Sequence, residues 1–458
     1  MNSGSPNQWI EGEVLDWGNG EVRTNKRPPQ QAERRETTPP NSFNHELKEF
    51  ASGTSFGGIS KVTLSNGYIR RFVWLLISGT CYVLVTMYCF TLVNIFLEKP
   101  VKTTIDISYT QNMEFPSVTL CNLNQFRQSK LQEVKMIQEI LRSYSNVKRN
   151  TSDGSSFEES LNRLRKILKK DLASDKEDED LDVVEVDESL LLEHLVAITT
   201  SFYNQTHLKQ VGHQFKDMIL SCSWKGANCR TGDFAKYWVK HWNWKYGNCF
   251  TFNPGGSETG HELDVFRTSK TGPHHGLSLN INIEQSDEYV AEMTVEAGAL
   301  ITVHKARKMP FPYDEGITVS PGFSSSIAIR KESVTRVDAH NNGSCYSSEN
   351  LPERNIYSKF MGGSCTKYSY QACIQSCLVK AQEETCDCSD SKYAWFVGRI
   401  CHSLEELECI HGVNSDFKNH KLGCEGECPT PCIQESFIHS IMTAKLTSKE
   451  SFIHSIMT

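Results

Sequence analysis

One stretch of the chain is apolar throughout and contains no charged residue. Phe72 to Leu97 reads FVWLLISGTCYVLVTMYCFTLVNIFL, and as a helix it would extend roughly 39 Å, more than the ~30 Å hydrocarbon core of a bilayer. Arg70 and Arg71 precede it and favour a cytosolic amino-terminal side. A cleaved signal peptide is the alternative, but its apolar region would be about 7–15 residues long and close to the amino terminus. We therefore predict a transmembrane helix at 72–97.

The remainder of the chain changes from a helical to a strand pattern. Across residues 127–215, apolar positions recur every three or four residues, which predicts amphipathic helices. The acid-rich run at 171–182 interrupts them and is expected to be a solvated face. Between residues 247 and 335, apolar residues alternate with polar ones, as in Leu277 to Ile283, which predicts half-buried strands. Together the two patterns predict an α+β membrane protein.

The cysteines indicate on which side of the membrane each part lies. Of 17 cysteines, none precedes Cys81, two lie in the apolar segment and fifteen follow it. Thiols in that number favour an oxidising compartment. Three glycosylation sequons, at Asn150, Asn204 and Asn342, also follow the apolar segment. We therefore expect the part of the chain after the helix to be extracellular.

Charge and motif content argue against several classes of function. Lys and Arg number 48 against 55 Asp and Glu, and the resulting net charge of −7 disfavours a nucleic-acid-binding protein. The mean hydropathy of −0.43 disfavours a protein with many spans. The sequence has no G-x-S-x-G, P-loop or H-E-x-x-H motif, so we expect neither enzyme activity nor a cofactor. The His274-His275 pair lies in a GPHHG turn, where we expect it to be inert rather than a metal site.

Residues 345–432 are rich in cysteine and poor in β-branched residues. Such a region cannot bury much apolar surface and needs cross-links to hold its shape. Zinc is a competing explanation, because CxC and CxxxCxxxC spacings can supply thiolates, but an extracellular location favours disulfides. The spacing leaves the pairing open, since eight cysteines already allow many connectivities. The cysteines are Cys345, Cys365, Cys373, Cys377, Cys386, Cys388, Cys401, Cys409, Cys424, Cys428 and Cys432.

Several segments resemble, in sequence and in order, motifs of the degenerin/epithelial sodium channel superfamily. That superfamily includes acid-sensing, epithelial and FMRFamide-gated sodium channels, and the resemblance runs from about residue 47 to residue 432. The CxxxCxxxC spacing is more similar to the epithelial and peptide-gated branches than to the acid-sensing branch. The segments are FPSVTLCNLNQFR (115–127), GNCFTFNPG (247–255), EAGALITVH (296–304), PGFSSSIAI (321–329) and LGCEGECPTPC (422–432).

The resemblance implies a set of disulfides that spacing alone leaves undetermined. Nested bridges would join two antiparallel helices in the cysteine-rich region into a stiff rod. Cys365 would be left over, either free or paired between chains. The implied pairs are Cys121–Cys249, Cys222–Cys229, Cys345–Cys432, Cys373–Cys428, Cys377–Cys424, Cys386–Cys409 and Cys388–Cys401.

The resemblance also implies an architecture. A central β-sheet, called the palm and β-ball in this superfamily, would be flanked by a helical finger and a disulfide-stapled helical thumb. Three such subunits would form a channel in the plasma membrane. The expected parts are a cytosolic tail (1–71), a transmembrane helix (72–97) and an extracellular domain (98–458) that contains the finger (127–215), the palm strands (247–335), the thumb (345–432) and an aberrant terminal tail (433–458).

The implied function is that of a subunit of a trimeric, amiloride-sensitive, sodium-selective cation channel that is ligand-gated or constitutive. Its expected partners are the membrane, sodium ions as the permeant species, related subunits in a homo- or hetero-trimer, and an extracellular peptide ligand. Members of the superfamily often carry His-Gly at a gating position before the first span, and counting places Gly57 and Gly58 there. The histidine is replaced, which disfavours proton gating.

The last residues, 433–458, depart from the superfamily pattern. They contain the nonapeptide ESFIHSIMT twice, at 435–443 and at 450–458, and no stretch long enough to cross a bilayer. A second span with a Gly-x-Ser constriction is expected at this point in the superfamily, so the repeat suggests a duplicated or misassembled terminus or a truncated isoform. We expect the chain as written not to conduct alone. The alternative is a single-span regulatory or dominant-negative partner, or a cell-surface binding ectodomain.

Overall fold

The computed structural model describes residues 43–54, 57–98, 103–148, 156–173, 186–337, 345–362, 366–447 and 452–457. Within them the chain divides into two units, one ending at Ile107 and one beginning at Ser108. Several features named above fall outside the described residues: Asn150, Asn342, Cys365, residues 1–42 and residues 174–182 of the acid-rich run.

Helices occur in both units, and the first three belong to the first unit. They are α1 (Phe43–Gly53), α2 (Ile59–Leu64), α3 (Tyr68–Leu97), α4 (Lys135–Lys148), α5 (Ser156–Ala173), α6 (Glu188–Thr200), α7 (Gln205–Val211), α8 (Phe215–Met218), α9 (Pro312–Glu315), α10 (Tyr370–Cys386), α11 (Leu404–Lys418) and α12 (Cys424–Glu427). Short 3₁₀ helices cover Gln128–Glu133, Gly232–Tyr237, Pro273–His275, Ile356–Lys359 and Ser391–Tyr393.

Strands occur in the second unit. They are β1 (Met113–Glu114), β2 (Ser117–Asn122), β3 (Ile219–Trp224), β4 (Ala227–Asn228), β5 (Trp238–Asn243), β6 (Gly247–Phe252), β7 (Arg267–Thr268), β8 (Leu277–Asn282), β9 (Ala299–His304), β10 (Ile317–Val319), β11 (Phe323–Thr335), β12 (Ile433–Lys445) and β13 (Phe452–Met457). They form a two-stranded ribbon, a five-stranded sheet of order β10-β9-β2-β6-β5 and a six-stranded sheet of order β12-β11-β13-β8-β3-β4.

The apolar segment of the first unit is helical along its whole length. Helix α3 begins after Gly67, four residues before the predicted start, and ends at the predicted Leu97. Among the described residues it is the one helix that is long and apolar enough to cross a membrane. None of its side chains is buried in the protein, and an unburied apolar surface of this length suits contact with lipid.

Two sheets share the main core of the second unit. Strands β2 and β6 are buried at every position, and β8 buries alternate residues from Leu277 to Ile281. Leu120 and Phe250 of the five-stranded sheet meet Leu277 and Ile327 of the six-stranded sheet in one apolar cluster. The alternation expected for β8 is therefore present, and it follows from a sheet with one face turned to the core.

A second core lies among the helices of residues 127–215. Helices α4, α5 and α6 turn one face each toward it, which accounts for the spacing of three and four in the sequence. Ile137 of α4, Leu161 of α5 and Leu191 of α6 are all fully enclosed. The first residues of α6 are fixed by Asp187, whose carboxylate accepts the backbone N–H of Ser189.

The last residues form strands where the sequence indicated no element. Strand β12 pairs with β11 over thirteen positions, from Thr335 with Ile433 to Phe323 with Lys445. The nonapeptide ESFIHSIMT does not alternate strictly between apolar and polar residues, so its periodicity carried no strand signal. The pairing with β11 determines its conformation instead.

Candidate functional site

The cysteine-rich region is a pair of helices joined by disulfides. Helix α10 begins at the cap Ser369, whose hydroxyl accepts the N–H of Ala372, and ends at Asp387, which adopts the left-handed conformation at φ 56°. A residue of that conformation commonly terminates a helix. Helix α11 then returns alongside α10.

The structure brings together the seven cysteine pairs that the family resemblance implied. Two lie outside the helix pair: Cys121–Cys249 joins directly paired residues of β2 and β6, and Cys222–Cys229 closes the β3–β4 turn. The five along the helix pair are Cys345–Cys432, Cys373–Cys428, Cys377–Cys424, Cys386–Cys409 and Cys388–Cys401. Because they are nested, they hold the helix pair at several levels along its length.

The start of helix α11 is capped by a reciprocal hydrogen-bond arrangement. Ser403 Oγ accepts the N–H of Glu406, and the Glu406 carboxylate accepts the N–H groups of Ser403 and His402. These backbone donors, Ser403 first and His402 next, lower the pKa of Glu406 to about 2. Arg399 Nη2 adds an ion pair at 2.5 Å. The S-x-x-E spacing at 403–406 was a signal for this helix start that the sequence analysis did not use.

The end of the helix pair that carries the Cys345–Cys432 disulfide is attached to the six-stranded sheet. Cys432, bonded to Cys345, immediately precedes β12, and its carbonyl accepts the N–H of Arg336 at 2.7 Å. The Arg336 guanidinium also donates to the carbonyl of Pro431 and to Gln434 Oε1. A displacement of the stapled helices would therefore pull directly on β11 and β12.

Two buried histidines belong to the five-stranded sheet, His241 on β5 and His304 on β9, and neither was singled out from the sequence. His304 Nδ1 lies 3.1 Å from the carbonyl of Lys305, so that nitrogen is the donor and Nε2 accepts from Thr119 Oγ1 at 2.9 Å. His241 packs edge-on against Phe360, and neither of its ring nitrogens has a hydrogen-bond partner among the described residues. Burial lowers the pKa of His241 to about 3 and that of His304 to about 4.

Acidification is expected to destabilise the second unit through these histidines. Between pH 6.5 and about 4 the unfolded chain binds a proton at each imidazole whereas the folded chain does not, so stability present at neutral pH is lost as the pH falls. At pH 5 the loss is about 2 kcal/mol for each histidine. His241→Leu should remove about half of this pH dependence in urea-denaturation midpoints of the detergent-solubilised chain. His274→Gln, at an exposed histidine, is the control, and an equal effect of both variants would contradict the assignment.

A cavity of about 280 Å³ opens beside α6 and the β5–β6 turn. Lys245 lines this cavity. Its Nζ lies 2.7 Å from Glu193 Oε2 and 4.5 Å from the centroid of the Tyr313 ring. Lys392 lies 5.4 Å above the ring of Trp244 in the same way. The aromatic faces here are thus already covered by cations of the chain itself.

The two candidate gating glycines form a turn that contacts the apolar helix of the first unit. Gly58 has φ 93°, a conformation that other residues rarely adopt, and a Cβ built on it would lie 2.1 Å from Ser78 Oγ. The carbonyl of Gly57 accepts the hydroxyl of Tyr82 at 2.6 Å. A Cβ at Gly57 would meet nothing within 4 Å. Only Gly58 therefore requires glycine for steric reasons.

Asn204 is the one candidate glycosylation site within the described residues. It is exposed and precedes α7, and its side-chain oxygen accepts the N–H of Thr206 at 2.8 Å. The pair His274-His275 lies in the 3₁₀ helix Pro273–His275, with His274 exposed and His275 partly buried. Over the part of the chain that the structure describes, no group of three or more His, Cys, Asp or Glu side chains could hold a metal ion.

Comparison with known proteins places these features in a family. The family model for the amiloride-sensitive sodium channel matches residues 50–456. Acid-sensing ion channel 1A of Danio rerio is 28% identical over 419 residues, which cover 88% of this chain and 73% of the relative. Epithelial sodium channel subunit gamma of Pelodiscus sinensis is 23% identical, and the match covers 84% of this chain and 64% of the relative. Epithelial sodium channel subunit alpha of Gallus gallus is 26% identical, and the match covers 85% of this chain and 66% of the relative. The chain belongs to the amiloride-sensitive sodium channel family, within the degenerin/epithelial sodium channel superfamily.

Proposed function

We propose that the chain is a subunit of a sodium-permeable, amiloride-sensitive channel of the plasma membrane. The family match over residues 50–456 is the observation that carries this proposal. The arrangement is a cytosolic stretch before α3, one crossing of the bilayer by α3, and an extracellular second unit. Among the described residues all seven disulfides belong to the second unit, whereas Cys81 and Cys89 of α3 are unpaired, and that distribution fits an oxidising exterior.

In the proposed subunit the helix cluster of residues 127–215 is the finger, the sheets are the palm and β-ball, and the stapled helices are the thumb. The thumb is stiff because its disulfides are nested, and it is joined to β11 and β12 through Cys345–Cys432 and Arg336. A ligand that moves the thumb would therefore displace these palm strands. Three subunits assemble around the conduction path.

The chain expressed alone is expected to carry no amiloride-sensitive current. Three copies of α3 would pack with axes about 8–10 Å apart, so side chains would fill the centre and leave no hydrated lumen. Whole-cell recording from cells that express only these 458 residues measures this, with an epithelial sodium channel subunit as the positive control. Amiloride-sensitive current from the chain alone would contradict the expectation. Suppression of the current of co-expressed relatives would identify the regulatory, dominant-negative role instead.

The orientation can be tested at the sequon of Asn204 without disturbing the helix that this residue caps. Thr206→Val removes the sequon but leaves the backbone N–H that Asn204 accepts, whereas Thr206→Ser retains a sequon. We expect the parent and Thr206→Ser to lose mass on glycosidase treatment at this site, and Thr206→Val to lose none there. Identical mobility of all three proteins would place Asn204 away from the glycosylating compartment and contradict the proposed topology.

A further inference from the structure

Lys240 of β5 is a half-buried lysine whose ammonium group reaches the end of helix α7. Its Nζ donates to the carbonyl of Lys209 at 2.8 Å and to Gln214 Oε1 at 3.1 Å. The amide of Gln214 is held in turn, because its Nε2 donates to the carbonyls of Lys209 and Gln210 at 2.9 and 3.1 Å. These contacts fix the Lys240 ammonium group at a defined position between β5 and α7.

The charged groups that act on Lys240 are two cations and one carboxylate. The cations are Lys209 of α7 and Arg127, whose Nη2 donates to the neighbouring carbonyl of Gln210 at 2.9 Å. The carboxylate is Glu258, whose Oε1 accepts the backbone N–H of Lys240 at 3.2 Å. Among the described residues no carboxylate forms an ion pair with Lys240 Nζ. Burial first, then Lys209 and Arg127, lower the pKa of Lys240 to about 8.

The contacts of Lys240 also fix the direction of its lone pair in the neutral state. A lysine ammonium group has three N–H donors, and the Lys209 carbonyl and Gln214 Oε1 accept two of them. The third N–H has no acceptor among the described residues, so the lone pair takes its place when that proton is lost. A pKa of about 8 leaves about a quarter of the molecules neutral at pH 7.5, against about one in a thousand for the ordinary pKa of 10.5. A desolvated lysine beside another cation is thereby activated as a nucleophile.

We propose that Lys240 Nζ is a site of carbamate formation with dissolved carbon dioxide. The Nζ lone pair forms a bond to the carbon of CO₂, one C–O π pair moves onto oxygen, and Nζ releases one proton to water. No electron is gained or lost, and the product carries one negative charge. The cations Lys209 and Arg127 favour that charge, because they are repelled by the ammonium group and attracted to the carbamate.

Carbamate formation loosens the end of α7 from β5. The carbamate nitrogen keeps one N–H for two acceptors, so either the Lys209 carbonyl or Gln214 Oε1 loses its donor. A negative charge also replaces a positive one beside the last carbonyls of a helix, where cations stabilise and anions destabilise. We therefore expect the backbone amides of α7 to exchange faster with solvent in the presence of CO₂.

Chemical trapping in the full, detergent-solubilised chain tests the site. Triethyloxonium converts a carbamate into a stable ethyl ester, which peptide mass spectrometry assigns to a residue. With isotope-labelled CO₂ at pH 7.5, we expect the adduct on Lys240 at about ten times the yield on Lys236 or more, because Lys236 is exposed. Lys240→Arg should remove the adduct and Lys236→Arg should leave it unchanged. Equal yields on the two lysines, or no adduct on Lys240, would overturn the proposal.

Substitution of the neighbouring cation tests the electrostatic argument. Lys209→Gln removes one positive charge beside Lys240 and should lower the adduct on Lys240 about threefold at pH 7.5, whereas Lys209→Arg keeps the charge and the adduct. The backbone carbonyl that Lys240 Nζ contacts is present in both variants. Equal yields from the two variants would contradict the role of Lys209.

Hydrogen exchange of the amides of Gln205–Val211 measures the structural consequence. Exchange should accelerate under CO₂ in the parent chain and stay constant in Lys240→Arg, which cannot form the carbamate. Acceleration in both proteins would assign the effect to another site and contradict the loosening of α7. None of these measurements depends on channel activity, so the proposed function and this inference can fail independently.

Discussion

Replacing both Cys121 and Cys249 by alanine is expected to lower the free energy of unfolding by about 5 kcal/mol, because this disulfide closes the longest loop in the described structure. The two residues are 128 positions apart and occupy paired sites on β2 and β6, at the centre of the five-stranded sheet. Without the bridge, the unfolded chain regains the freedom of that whole loop. Pulse proteolysis across a urea series in detergent measures the loss.

The matched control is the pair Cys222 and Cys229, which are seven positions apart. Both pairs are buried in the second unit, so the alanine substitutions are similar in size, but the shorter loop predicts a loss of only about 2 kcal/mol. Equal losses for the two variants would show that local packing, rather than loop closure, dominates the contribution of Cys121–Cys249.

Gly58→Ala is expected to detach the glycine turn from α3. The alanine would have to adopt φ 93° and would place Cβ against the Ser78 side chain, with a combined cost of about 1–3 kcal/mol. A cost of that size raises the population of molecules in which α2 is exposed by roughly tenfold. The measurement is the rate of trypsin cleavage after the exposed Lys61 of α2, together with amiloride-sensitive current when a related subunit is co-expressed.

Two further variants separate the causes of this effect. Gly57→Ala should leave the cleavage rate unchanged, because its Cβ meets no atom within 4 Å. Gly58→Ala/Ser78→Gly should recover part of the protection, because the collision is removed while the backbone strain remains. A Gly57→Ala effect as large as that of Gly58→Ala would show that loss of chain flexibility, and not the close approach to α3, is responsible.

Local periodicity was sufficient for the elements whose environment is uniform along their length. The apolar run at 72–97 is contained in α3, the alternation around Leu279 is β8, and the spacing of Leu161, Leu164 and Leu168 is one face of α5. Each of these elements faces the same surroundings along its whole length, either one medium or one face of a core. The positions of its apolar residues therefore follow from the geometry of the helix or strand. The start of α11 could also have been read from Ser403 and Glu406.

The pairing of the cysteines could not be predicted from local sequence patterns. Spacing left their connectivity open, and the pairs were named only because the sequence resembles a known superfamily. Cys373 and Cys428 are 55 positions apart, so their proximity depends on how α10 and α11 return alongside each other. Short-range sequence patterns carry no information about which residues so far apart in the chain come into contact.

The residue sequence, read locally, therefore determined which stretches are apolar helix, amphipathic helix or strand, because burial of one face imposes a period on neighbouring residues. Folding decided everything that depends on which distant elements become neighbours. Thr119 meets His304 across 185 positions, Gly58 approaches Ser78 through a turn, and one nonapeptide becomes an edge strand in one copy and an interior strand in the other. The two copies have identical residues, so only the strands beside them account for the difference.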